Sequence, residues 1–227
     1  MKKSLFILIL LMFQVSLLSA QDEPVIKSSA PHEGEIKTLF KKSNKPMKIG
    51  YYIGPEFAYT QFQGRDVFLG GLGLGVIVNH FFSVGLEGYG VLNSGNLWYD
   101  FEDTPLGSPT GAYLYGGYGG LKFEFRIFAT SPVHISFPIL IGGGGMAYST
   151  WQMHSRNYND NYDGTTLDSD AFFVVEPGVM VEINMLKFIR VGAGITYRYT
   201  PNLDLIYTSS GRINNFNAKL SLRFGKF

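Results

Sequence analysis

His134 and Ser136 stand two positions apart, a base beside a hydroxyl, which is the pairing that acyl hydrolysis requires. Inside a strand that spacing sets both side chains on one face. That face is the charged one, near one end of its segment and away from any lipid acyl chain, so no catalytic residue is assigned. A second constellation runs from Asn159 to Asp170, with oxygen-bearing Asn159, Asn161, Asp163 and Asp170 at places one, three, five and twelve and Gly164 at six. The spacing is that of a calcium loop. Asparagine replaces the leading aspartate and no helix flanks it, so the segment reads as an acidic surface loop and no metal is assigned. The glycine runs at 70–75 and 142–145 carry neither a Gly-Lys-Ser/Thr nor a dinucleotide spacing, so no nucleotide or other cofactor is expected. The absence of cysteine excludes disulfides, thiolate metal centres and a lipidated N-terminal cysteine.

The remaining chemistry is electrostatic. Glu56, Glu87, Lys122, Glu124, Arg126, Glu176, Glu182, Arg190, Arg198, Lys219 and Arg223 all fall on one phase of a two-residue alternation. Eight segments carry it from Ile49 onward. In the first, Ile49, Tyr51, Ile53, Phe57 and Tyr59 oppose Gly50, Tyr52, Gly54 and Glu56; in the last, Phe216, Ala218, Leu220, Leu222 and Phe224 oppose Asn217, Lys219, Ser221 and Arg223. A soluble barrel would put the apolar phase inside. The polar phase mixes charges with many glycines, a poor water-facing surface but a good lining for a narrow interior. The apolar phase ends in aromatics, with Tyr59, Tyr113, Tyr115, Tyr197 and Tyr199 at one set of ends and Phe81, Phe82, Phe128, Phe188, Phe224 and Phe227 at the other, as where lipid meets water. The fold class is therefore all-β, an eight-stranded antiparallel up-and-down transmembrane β-barrel over residues 48–227.

Composition agrees. Mean hydropathy is too low for a bundle of membrane helices, whose spans need about 20 apolar residues each, whereas a barrel exposes only alternate residues to lipid. Met1-Lys2-Lys3, the apolar run Leu5–Leu18 and the small pair Ser19-Ala20 form an N-terminal signal peptide over 1–20, cut at Ala20/Gln21, with an uncleaved anchor as the alternative. Residues 21–47 are polar and mixed in charge, a periplasmic arm. A net charge of +1 offers nothing to nucleic acid. Connections after the second, fourth and sixth segments are short, and those at 93–111, 149–170 and 201–212 are long, which places both termini in the periplasm.

The signal peptide, the eight alternating segments and the terminal Phe227 resemble small outer-membrane barrels of the OmpA transmembrane-domain and OmpX type, over roughly 48–227. The resemblance implies an outer membrane of a Gram-negative bacterium, contact with its lipids and lipopolysaccharide, and delivery by the barrel-assembly machinery through Leu220, Leu222, Phe224 and Phe227. Phe227 departs from the alternation that Phe224 follows, and a bulge near Gly225 is the expected repair. Eight strands leave an interior that side chains fill, so the charges read as a lumen plug, with Glu87, Lys122, Glu176 and Lys219 near mid-depth and Glu182 facing Arg190. The expected role is a non-enzymatic, monomeric scaffold presenting loops to a surface ligand; a narrow solute channel is the alternative, and a lipid-modifying enzyme, which the His134/Ser136 pair resembles, ranks third. Trp98, Tyr99, Trp151, Tyr158 and Tyr162 are the loop contact candidates, or else lipid-interface anchors or packing within the loops.

Overall fold

The computed structural model describes residues 47–102, 110–150, 165–206 and 208–227. The signal peptide, the arm up to residue 46, and Trp151, Tyr158, Tyr162, Asn159, Asn161 and Asp163 lie outside the described residues. Within them the alternation becomes eight long strands: β1 (Ile49–Phe62), β2 (Arg65–Val78), β3 (Phe82–Val91), β5 (Thr110–Ile127), β6 (Val133–Ser149), β7 (Thr166–Leu186), β8 (Ile189–Arg198) and β11 (Asn215–Lys226). Three short strands, β4 (Trp98–Phe101), β9 (Asp204–Leu205) and β10 (Thr208–Ser209), were not expected from the sequence; they form in the long connections.

All pairings are antiparallel. β1 pairs with β2 and β11, β8 with β11 and β7, β6 with β7 and β5, and β3 with both β2 and β5, so each long strand is hydrogen-bonded on both sides. The sheet resembles a membrane-spanning barrel, with one row of side chains buried and the other exposed. Along β1 the burial alternates at every step, with Ile49, Tyr51, Ile53 and Phe57 about half exposed and Tyr52 and Glu56 buried. Exposed apolar side chains on the outer row are favourable only beside an apolar solvent.

The two ends differ. One, the turn end, carries the connections at 79–81, 128–132 and 187–188. Asn79 (φ 51°) and His80 (φ 68°) take left-handed conformations there, which asparagine and histidine tolerate better than most residues. The other, the loop end, carries the longer connections and one tight exception. β1 and β2 are joined by Gln63 (φ 52°) and Gly64 (φ 79°) alone, a two-residue hairpin turn whose twist suits the flanking strands. Asp170, placed in a loop by its sequence, lies on β7, where the β6–β7 hairpin runs further outward than the turn residues suggested.

Glycines on the inner row make room for large neighbours. A Cβ on Gly144 would stand 2.6 Å from the Phe172 ring, and one on Gly142 would stand 2.0 Å from the Gly119 carbonyl oxygen. β11 keeps one register against β1 through Phe224 and Lys226, so the expected bulge at Gly225 is absent. Phe227 instead leaves the ladder, and its ring lies under the Arg190 guanidinium, 4.1 Å from Cζ to centroid.

Candidate functional site

The buried space inside the sheet is layered. Every one of the eleven charged residues assigned to it is buried, with Lys219 the most exposed at 6 %. Nearest the turn end is a hub on Glu182. Its Oε2 accepts from Arg126 Nε at 3.0 Å, His134 Nε2 at 2.9 Å and Arg190 Nη1 at 3.4 Å, and its Oε1 accepts from Arg223. Arg223 also forks onto Glu124, with Nη1 to Oε1 and Nη2 to Oε2 both at 3.0 Å, and Glu124 holds Arg126 as well. A bidentate guanidinium–carboxylate pair of this kind fixes orientation as well as charge. Glu182 and Arg190 meet diagonally on neighbouring strands, Glu182 being paired with Gly192 and Arg190 with Asn184, just before the register shift between Asn184 and Leu186.

One layer deeper the four mid-depth residues meet. Glu87 accepts from Lys122, from Lys219 at 3.0 Å and from the Tyr89 hydroxyl at 2.8 Å; Lys219 also pairs with Glu176. Tyr118 and Thr196 donate to Glu176, each at 2.7 Å. Glu56 joins the layers, 3.7 Å from Lys122 and 3.4 Å from Arg223. Arg198 departs from the sequence reading. It has no carboxylate partner among the described residues; it donates to the Ile213 carbonyl at 2.7 Å and to Asn217 at 3.1 Å, and lies over the Phe62 ring.

Toward the loop end the interior turns apolar, which the sequence reading missed. Phe62, Val67, Leu97, Leu114, Tyr148 and Val174 are fully buried in one cluster with Leu69, Phe101, Phe172 and Leu205. A signal was present: Phe172-Phe173-Val174-Val175 is apolar on both phases, which a strand with one polar face does not allow. The loops are pinned over this cluster by side chains acting as ladder acceptors, Asp170 Oδ2 taking the Asp204 N–H and Asp168 Oδ2 the Ile206 N–H, both at 2.7 Å. Asp170, the twelfth place of the calcium spacing, is thus committed to backbone.

Among the loop candidates, Trp98 stacks edgewise on Tyr113 at 4.6 Å, with Nε1 donating to Asp100 at 3.0 Å. It belongs to the wall. Tyr99 turns inward, edge-on to Tyr148 and beneath the Arg65 guanidinium, and burial pushes its phenol up. Leu220 and Phe224 are exposed on the outer row, whereas Phe227 is not part of that row. His134 and Ser136 are both buried, and the Ser136 hydroxyl has no hydrogen-bond partner among the described residues, so the two are not coupled as base and nucleophile. The described residues contain no cluster of acidic or histidine side chains that could hold a metal ion.

No family model matches the chain, and no curated protein matches it in sequence. Solved structures do. Neisserial surface protein A is 10% identical, with 81% of this chain and 100% of that chain covered and a TM-score of 0.52. The N-terminal β-barrel domain of Pseudomonas aeruginosa OprF is 10% identical, covering 77% and 96%, with a TM-score of 0.42. The attachment invasion locus protein Ail of Yersinia pestis, solved with the heparin analogue sucrose octasulfate, is 13% identical, covering 78% and 97%, with a TM-score of 0.42. The likeness to Neisserial surface protein A, which spans that whole chain, is one of fold: an antiparallel β-sheet that resembles a membrane-spanning barrel.

Proposed function

We propose that this chain is a closed, eight-stranded barrel of a Gram-negative outer membrane, with periplasmic termini, a non-enzymatic role and a sealed lumen. The pairing of β3 with β5 supports closure, since no long strand then keeps a free edge. The exposed outer row and its aromatic ends support a lipid environment. On this reading residues 1–20 are the export leader and 21–47 the periplasmic arm. Leu220, Leu222, Phe224 and Phe227 address the assembly machinery, the partners of the wall are outer-membrane lipids and lipopolysaccharide, and the loops are the part free to meet a surface ligand.

The observation that carries the sealed lumen is the pairing of two unlike layers, a cross-linked charge network and an apolar cluster above it. The experiment is planar-bilayer recording on refolded protein, beside liposome swelling with small sugars. The expected result is no steady conductance and no swelling. A steady conductance that Glu87→Ala or Lys219→Ala abolishes would overturn the plug and favour a narrow channel.

A further inference from the structure

At the turn end, beneath the Glu182 hub, a cavity of about 720 Å³ opens to the outside. Its polar lining is Lys187, Arg190, His80, Asn184 and Thr130, and it contains no Asp or Glu. Arg190 is only 2 % exposed, and its polar atoms are divided in a particular way. Nε donates to Asn184 Oδ1 at 2.8 Å, Nη1 to Glu182, and one face is covered by Phe227. Nη2 is left with no partner among the described residues, on a side chain that lines the cavity. Lys187 is exposed and forms no ion pair among them. The rim repeats the sign: Lys48, Lys187 and Lys226 are exposed at this end, where no exposed Asp or Glu side chain accompanies them among the described residues, the terminal carboxylate of Phe227 being the anion beside them. The rest of the wall is apolar, through Met185, Leu186 and Phe227. Met185 (61 %) and Leu186 (52 %) continue onto the exposed apolar band.

A cationic floor with free donors and an apolar flank that runs out into the lipid-facing surface suits an amphiphile with an anionic head. We infer that the turn end carries a binding site for a phosphate-bearing anion, with Arg190 Nη2 and Lys187 as its cationic donors. Arg190 is held for this by Glu182 behind it and Phe227 beside it, so its planar edge is oriented before a ligand arrives. Thr130 offers a neutral hydrogen-bonding hydroxyl on the same lining, and Asn184, bonded to both Arg190 and the Ser131 carbonyl, fixes the Arg190 side chain there. The two sources of such a head are a membrane phospholipid and a soluble phosphate, and the apolar flank is what separates them. The lipid source rests on the membrane reading above; the cationic site does not.

The test uses the refolded full chain in dodecyl maltoside micelles, which contain no phosphate. Backbone amide shifts of Thr130, Asn184 and Lys187 are followed during titration with dihexanoyl phosphatidylglycerol, with inorganic phosphate, and with sodium chloride at matched ionic strength. Saturable shifts with the lipid alone assign the site to a headgroup, and saturation by both assigns it to phosphate as such. Lys187→Glu, an exposed substitution outside the buried network, is expected to weaken binding by roughly tenfold, whereas Lys48→Glu on the same rim changes it by less than about twofold. The absence of saturation with either phosphate compound, or equal affinities in Lys187→Glu and the wild type, overturns the site. A chain that stays monodisperse without detergent sinks the membrane reading instead, and inorganic phosphate then still tests the pocket.

Discussion

Glu182→Gln is the substitution to which the interior is expected to respond most. The carboxylate serves Arg126, Arg190, Arg223 and His134 together. Glutamine keeps one acceptor oxygen but replaces the other with an amide donor facing guanidiniums. Arg126 and Arg223 retain Glu124, and Arg223 retains Glu56 as well. Arg190 retains only Asn184 and the Phe227 ring and no carboxylate, and breaking a buried ion pair costs about 3–5 kcal/mol. Glu87→Gln is the internal comparison, because the network is redundant there. Lys219 keeps Glu176, and Lys122 keeps Glu124 at 3.6 Å and Glu56 at 3.7 Å. Its loss is closer to that of ordinary charged hydrogen bonds, about 1–3 kcal/mol. The assay is urea unfolding in phospholipid vesicles, followed by tryptophan fluorescence and by the gel mobility shift of the folded form. High salt should leave the Glu87→Gln value nearly unchanged, since that layer is enclosed by the network and not reached by counterions. A Glu182→Gln loss below that of Glu87→Gln, or within about 1 kcal/mol of wild type, refutes the hub.

Leu114→Ala removes a fully buried side chain from the apolar layer and should cost about 2–5 kcal/mol in the same unfolding assay; a neutral result would mean that the layer is not close-packed. Gly142→Ala sets a methyl group 2.0 Å from the Gly119 carbonyl oxygen, so refolding yield, read from gel mobility, should collapse. At the loop end beyond the apolar band, Asp66 Oδ1 accepts from the Tyr59 hydroxyl at 2.6 Å and from Gln61 at 3.0 Å, and the Tyr59 bond foremost holds this carboxyl below the usual carboxylate range. A lowered folded-state value means a contribution present above the ordinary carboxylate pKa and lost as pH falls through the folded one. Carbon-13 NMR titration of the Asp66 carboxyl should therefore move upward in Tyr59→Phe, and an unmoved titration would remove the hydroxyl as the cause.

The charge layers were legible because a strand offers only two phases, and a charge recurring on one of them names its face. Depth could be counted as well. Glu87 on β3, Lys122 on β5, Glu176 on β7 and Lys219 on β11 lie far apart in sequence and still meet, as equal distances from the strand ends implied. The apolar layer was harder to read, since Leu114 between Tyr113 and Tyr115, or Phe172 beside Phe173, gives no contrast between phases. The ring of Phe62 is inward only because β1 continues for three residues beyond Tyr59 on an unbroken alternation. β4 and β9 depend on contacts made after the loops fold over that layer, through Asp168, Asp170 and the Trp98–Tyr113 stack. Arg198 shows the limit of charge counting. A cation on the correct face takes carbonyl and aromatic partners when its height puts it above the last carboxylate.

The order of the layers bears on what the charges do. An ion that left the Glu87–Lys219 layer toward the loop end would pass Arg198, whose donors are held by Asn217 and the Ile213 carbonyl, and then meet the apolar cluster of Phe62, Leu114, Phe172 and Val174. Burying an unpaired charge there costs several kcal/mol, so under the proposed sealed lumen exchange of partners within the network is not expected to amount to a conducting path. Register is another matter. A slip of β11 by one residue against β1 would turn Lys219 and Arg223 onto the outer row and bring Ala218, Leu220, Leu222 and Phe224 inside, opposite Glu56 and Glu124. In lipid that exchange strands two cations without partners, leaves Glu176 buried without a cation, and takes Arg223 away from Glu56, Glu124 and Glu182. Hydrophobic alternation by itself penalises such a slip only through the lipid face; the network penalises it a second time from within, at the seam where the last strand meets the first.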